Sequence, residues 1–458
     1  MRAFARQMTE RMKAVAAVGA VAAFWLAVWV FAAALAAQPL ILPGPGAVVV
    51  ALLRLVCDAG TWAILAGSGV RILGGLALAA VCGGVLAGVS VRSLTFARLV
   101  APALSFVKAT PVACVVVLLL IWLGSARVSI AAVFLMALPG VYFSLVEGLT
   151  QADKPLEQMF RLHGVRGWRL FCAHTWREVL PFVLSCARAV IGMSWKAGVA
   201  AELIGMATDT VGERIYQAKL LIETADLLAW TVLVVAASWA CERVLVWLLR
   251  VSGPVAWRAA VRAHGHGLRG RTGAASDGAA AELALAVGDR APWSPALDGL
   301  VLHVPAGGRT CVMGASGVGK STLLALVAGE CAPCSMVFQD VRLVEDASAL
   351  DNVLVCADAR VNASSAAALL RLLVPGIDVH ARVAELSGGQ RRRVEIARAL
   401  LCPGGAVILD EPFTGLDIAA RDACTEVVLD LLDGRMLLLA THDSADARAL
   451  NISDIITL

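Results

Sequence analysis

Six apolar runs fill the first 250 residues of this 458-residue chain, and they limit what it can fold into more than any other feature. They cover about 14–37, 64–90, 97–123, 127–149, 180–205 and 226–249. A helix needs about 20 apolar residues to cross a bilayer. Six runs of that length predict an all-α polytopic membrane domain. The third holds Lys108 and Pro111 and is expected to be interrupted. The whole chain is 59% hydrophobic and 16% charged, against roughly 45–50% and about 25% for a soluble protein. Charge becomes denser after about Arg250, so the membrane domain is followed by a soluble one.

The first run follows Arg2, Arg6, Arg11 and Lys13. A secretory signal has a shorter apolar core of about 7–15 residues and a cleavage site, so this run reads as a retained first helix. Cations gather in the loop 150–181 (Lys154, Arg161, Arg166, Arg169, Arg177) and after the sixth run (Arg250, Arg258, Arg262, Arg269, Arg271). The segment 38–63 has only Arg54. The positive-inside bias then puts both ends, and with them the soluble domain, in the cytoplasm.

The net charge of +4 and the lack of a basic face with interleaved aromatics give no sign of nucleic-acid binding. Twelve scattered cysteines read as small buried hydrophobes, not a disulfide framework. Cys331-Ala-Pro-Cys334 is a lone CxxC without a second pair at zinc-finger spacing, and reads the same way. Residues 252–281 are rich in Gly, Arg, Ser and Ala, too poor in large apolar residues to build a core. They read as a tether, and its His264 and His266 are too few to bind a metal tightly. The expected domains are therefore a membrane domain at 1–251, a linker at 252–281 and a soluble domain at 282–458.

The soluble part opens with a strand-like run, Arg309-Thr-Cys-Val-Met313, then Gly314-Ala315-Ser316-Gly317-Val318-Gly319-Lys320-Ser321, then an apolar helical run from Thr322. Strand, glycine loop and helix in that order predict a phosphate-binding loop in an α/β domain. Glycines let main-chain amides turn toward phosphates, and the helix N-terminus adds favourable partial charge. Lys320 is expected at the β- and γ-phosphates and Ser321 at Mg2+. A second apolar run, Ala406-Val-Ile-Leu409, ends in Asp410-Glu411. Asp410 is expected to hold the metal shell and Glu411 to act as general base on water.

Leu386-Ser387-Gly388-Gly389-Gln390, with the helix that follows, resembles the signature of ABC ATPases. Gln339 matches the glutamine switch of that family, which contacts metal and water. Thr414-Gly-Leu-Asp417 matches the loop after the base, and His442 the histidine that steadies the γ-phosphate. The resemblance covers about 283–458 and implies an ATP hydrolase with ATP and Mg2+ at each site. It also implies a dimer of motors, in which each signature meets the ATP held by the other; a homodimer, or pairing with a similar chain, is expected. The motor looks shortened. Only 19 residues separate Lys320 from Gln339, no tyrosine stands before the phosphate loop, and the chain stops soon after His442. Trp293 is the nearest aromatic for stacking on adenine.

The loop 150–181 resembles the cytoplasmic coupling loop of ABC importer permeases through Gly164 and Pro181, although Gln158-Met159-Phe160 stands where Glu-Ala-Ala is usual. Leu42-Pro43-Gly44-Pro45, the segment from Ser194 to Glu202 and the segment from Glu242 to Arg250 resemble permeases of the nitrate/sulfonate/taurine importer group. The resemblance implies a type I importer fold, import of a small organic anion or a vitamin precursor, and a separate extracytoplasmic binding protein. An ABC-type ATPase driving export, or remodelling a membrane partner, is the alternative. Lys196 and Glu202 lie inside the fifth run. Ionisable groups there are costly, so one or both line the path or a gate between subunits, or else they sit near a helix end and snorkel, or pair structurally.

Overall fold

The computed structural model describes residues 2–36, 38, 40–264, 283–286, 297, 300–315 and 317–458. Most of the expected linker (265–281), Trp293 and Ser316 lie outside the described residues. Along the chain the helices are α1 (Arg2–Ala36), α2 (Pro45–Cys57), α3 (Ala59–Arg92), α4 (Leu94–Ala109), α5 (Val112–Leu123) and α6 (Ser125–Gln151). They continue with α7 (Lys154–Leu162), α8 (Gly167–Leu170), α9 (Trp176–Gly205), α10 (Val211–Leu220) and α11 (Thr224–Arg262). The chain divides into two compact units, Met1–Gln151 with Val179–Arg250, and Ala152–Glu178 with Val251–Leu458.

Among the described residues five helices are long and apolar enough to cross a membrane, or six if α4 and α5 form one bent span. The bend is 104° and falls where the sequence predicts the interruption. Thr110 precedes Pro111 and is extended (φ −76°, ψ 131°), because the proline ring excludes helical backbone from the residue before it. Local caps start the helices: the Asp58 carboxylate accepts from the amides of Gly60 (3.2 Å) and Thr61 (3.0 Å) at α3. Small residues set the packing. A Cβ on Gly75 would stand 2.5 Å from the carbonyl of Ile130 on α6, so only glycine admits this approach of α3 to α6.

The second unit adds β1 (Leu283–Ala286), β2 (Val301–Val304), β3 (Arg309–Met313), α12 (Lys320–Glu330), β4 (Ser335–Val337), α13 (Ala349–Leu354) and α14 (Ala363–Leu373). It ends with α15 (Gly388–Leu401), β5 (Ala406–Asp410), α16 (Ile418–Leu431), β6 (Met436–Thr441), α17 (Ser444–Ala449) and β7 (Asp454–Thr457). Strands β1 and β2 pair antiparallel. The other five form a parallel sheet in the order β4-β5-β6-β3-β7. Strands β5 and β6 are buried at every residue, which is why they read as unbroken apolar runs and not as alternating ones.

Residues 152–178 belong to this unit although the membrane half supplies them. Met159, Phe160 and Val165 are fully buried and share one core cluster with Leu302, Val304, Leu323 and Leu324. Strand β4 ends the sheet, and its outer amides would lack partners there. The amide of Cys334 donates to the carbonyl of Leu162 (3.0 Å), and that of Met336 to Nε2 of His163 (3.2 Å). Gly164 follows in the left-handed region (φ +80°), and a Cβ there would meet Pro333 at 3.3 Å. The short path from α12 to β4 thus has the coupling segment along its flank. Cys334 is buried in the same cluster, and burial pushes its thiol up to about 12.

The tether corrects the sequence reading in its first part. Helix α11 runs through Ser252-Gly253-Pro254 to Arg262. Trp257 and Ala260 are 5% and 1% exposed in the core of the second unit. Ser-Gly-Pro is a poor helix former, but burial of an indole outweighs a local propensity of that size.

Candidate nucleotide-binding site

Because the five strands are parallel, their C-terminal ends share one edge of the sheet, where open α/β folds bind ligands. At that edge β3 opens into the glycine loop. Gly317 and Gly319 have φ of +83° and +114°, which residues with a Cβ rarely adopt, and Gly319 leads directly into α12. Lys320 is 6% exposed and folds back over the loop, donating from Nζ to the carbonyls of Gly314 (2.8 Å) and Ala315 (3.0 Å). Val318 and Thr322 flank it, half-buried.

The neighbouring strands bring the polar groups. Gln339 follows β4, and its Oε1 lies 3.5 Å from Oγ of Ser321. Asp410 ends β5, is 3% exposed, and lies beside the Ser321 side chain. Burial raises the Asp410 carboxyl above its ordinary range, opposed by the neighbouring Ser321 hydroxyl. Glu411 has φ +46°, a conformation that costs a non-glycine residue of order 1–3 kcal/mol and is common at functional sites. Its amide donates to the carbonyl of Ala440 (2.9 Å), and its Oε1 stands 3.4 Å from Nδ1 of His442, just beyond β6. Lys320, Ser321, Gln339, Asp410, Glu411 and His442, far apart in sequence, thus meet at one edge.

The signature does not join them. Ser387 and Gln390 form a capping box at α15: Oγ of Ser387 accepts from the Gln390 amide (3.3 Å), and Oε1 of Gln390 accepts from the Ser387 amide (2.9 Å). Gly388 and Gly389 open this helix. Asp417 caps α16, accepting from the amide of Ala420 at 2.7 Å. Among the described residues no hydrogen bond links these groups to the glycine loop.

Sequence reasoning missed a buried network on α15. Arg392 is 3% exposed and donates to the carbonyls of Asp410 (2.8 Å), Glu411 (2.7 Å), Pro412 (3.1 Å) and Phe338. It also pairs with Glu395 at 2.8 Å, which in turn meets Arg398 at 3.4 Å; both are fully buried. Glu395 further accepts from the amide of Arg342 (3.3 Å). The Arg342 guanidinium lies 3.8 Å from the Phe338 ring centroid and donates to the carbonyl of Pro155 (3.2 Å) and to Gln158 (3.5 Å) on α7. The available signal was three charges at i, i+3 and i+6 on one face of a helix that also carries Val394, Ile396 and Ala397.

The family described as "ABC transporter" matches residues 297–414, and "Binding-protein-dependent transport system inner membrane component" matches residues 80–255. The chain is 37% identical over 175 residues to the aliphatic sulfonates import ATP-binding protein SsuB 1 of Rhizobium johnstonii, covering 33% of this chain and 64% of that protein. It is 36% identical over 176 residues to SsuB of Escherichia coli K12, covering 34% and 68%. It thus spans about two thirds of the length of these relatives. A solved dimeric ATP-binding cassette, in a post-hydrolysis state with ADP and Pi, is 25% identical with a TM-score of 0.33, covering 36% of this chain and 86% of its own. The molecule is a P-loop ATPase joined to a polytopic permease in one polypeptide. It belongs to the ABC transporter family, in which ATP hydrolysis is coupled to transport.

Proposed function

We propose that this chain is an ATP-driven importer subunit of the bacterial inner membrane, working as a homodimer and receiving a small organic anion such as a sulfonate from a separate binding protein. The carrying observation is the edge that gathers Lys320, Ser321, Gln339, Asp410, Glu411 and His442 in the same unit as the coupling segment 152–178. The matched permease family and the sulfonate-import names of the relatives support import and the solute class.

In this reading Gly314 to Ser321 bind the phosphates and Lys320 neutralises them. The oxygens of Asp410, Ser321 and Gln339 form the hard donor set that suits Mg2+, and these residues would hold it. The ion supplies charge neutralisation at the phosphates. Glu411 orients a water and accepts its proton, while His442 steadies the departing charge. The Ser387–Gln390 and Asp417 turns face the site of the second copy.

Glu411→Gln tests the reading. Purified full-length protein in liposomes is expected to lose ATP hydrolysis by about 100-fold or more while still binding ATP. Unchanged turnover would show that the base lies elsewhere. Stimulation of hydrolysis by a sulfonate-loaded binding protein tests import, and no stimulation by any candidate counts against it.

A further inference from the structure

Helix α9 carries charge in two distinct ways. Glu202 is fully buried and accepts from Oγ of Ser68 (2.8 Å), Nε of Arg71 (3.3 Å) and the amide of Gly212 (3.4 Å). That charge is paired inside the first unit, so of the two roles expected for Glu202 the structural pair is the one observed. Arg188 and Lys196 differ. Both are exposed, and among the described residues neither has an ion pair or a hydrogen bond to the protein.

An unpaired charge inside a span almost always faces a water-filled cavity or another polar partner, not lipid. Lys196 lies about 30 Å along α9 from Trp176 and about 13 Å from Gly205, too far for its stem to reach either end. The exposed face around it carries Ser185, Ala189 and Met193 and no aromatic, whereas α1 exposes Phe24, Trp25 and Phe31. The face lies on the outside of one bundle, so one copy supplies only one wall. Symmetric pairing would set the face opposite itself. Two cationic faces brought together dry would repel, but water and anions between them relieve that repulsion.

We propose that this face of α9 lines a water-filled passage between two copies of the chain, and that Arg188 and Lys196 set its preference for anionic solutes. The proposal rests on the transport reading above. It adds Arg188, which no sequence motif marks, to Lys196, and gives the pair a role in the preference for anions.

Reporter cysteines test it in the full-length protein in liposomes. Met193→Cys sits one turn from Lys196, and Ala189→Cys is a second reporter on the same face. Each is treated with membrane-impermeant anionic (sulfonatoethyl) or cationic (trimethylammonioethyl) methanethiosulfonate. Modification is followed on the peptide that carries the reporter, which leaves the native cysteines in place. Both reagents are expected to label the reporters. The ratio of anionic to cationic rate is expected to fall about fivefold with either R188Q or K196Q, and the effect should shrink in high salt. No labelling at either reporter, or a ratio indifferent to both substitutions, overturns the proposal. Neither result bears on hydrolysis, which Glu411→Gln decides separately.

Discussion

The guanidinium of Arg392 donates to the main-chain carbonyl of Glu411 at 2.7 Å, from inside the helix that the signature opens. The same group holds Asp410 and Pro412 and reaches the carbonyl of Phe338, next to Gln339. One side chain thus fixes the turn that sends Glu411 into left-handed backbone and the start of the loop that carries Gln339. Arg392→Met is expected to lower kcat about 100-fold, with KM for ATP changed less than about threefold, because the phosphate loop itself is untouched. Arg392→Lys keeps a charge for Glu395 and should recover part of the loss. Steady-state kinetics on the three proteins, normalised to the folded fraction from circular dichroism, check it; an equal rise in KM would show that ATP binding is disturbed as well.

Arg342 joins this network to α7. Removing its donors to Pro155 and Gln158 with Arg342→Ala is expected to loosen α7 by about 1 kcal/mol, so its amides should exchange with solvent about fivefold faster. Hydrogen–deuterium exchange over 154–162 in the full chain measures this directly. Exchange as slow as in the parent would mean that the apolar face of α7 alone holds it.

His163 makes the coupling segment sensitive to acid. Burial drives its imidazole down to about 3 from an ordinary 6.5, so it stays neutral in the fold and accepts from the Met336 amide. The unfolded chain binds the proton more readily, so stability falls as pH drops from about 6.5 towards about 3. At pH 5.5 the loss from this group is about 1 kcal/mol relative to neutral pH. His163→Gln keeps an acceptor and removes the titration. Its thermal unfolding should depend less on pH between 7 and 5.5, and an unchanged slope would assign that dependence to other groups.

Trp257→Ala is expected to destabilise the second unit by about 3–5 kcal/mol through the cavity it leaves. Limited proteolysis within residues 283–458 is the readout. Resistance equal to the parent would return 252–262 to the status of a tether.

What was legible in the sequence was what is local. The glycine loop, the Asp410-Glu411 strand end and the capping residues of α15 depend on neighbours within a few positions, so motif and geometry coincide. The bend at Pro111 follows from one ring and its preceding residue. His442 could be named only by resemblance; its 3.4 Å approach to Glu411 needs β5 beside β6. Arg392, Arg342 and His163 have partners far away in sequence, and no short pattern encodes such pairings. Ser-Gly-Pro after Val251 reads as a breaker, because nothing nearby tells that Trp257 will find a core.

The edge of β4 has a consequence for how this molecule is made. The residues that close it, Leu162 and His163, leave the ribosome well before the strand they cover, and they come from between two membrane helices. A motor translated without them would expose an open strand and an unfilled core, the features that lead to aggregation. The ATPase unit of this chain therefore completes its sheet edge and core with residues made between two membrane helices, well before the strand they cover.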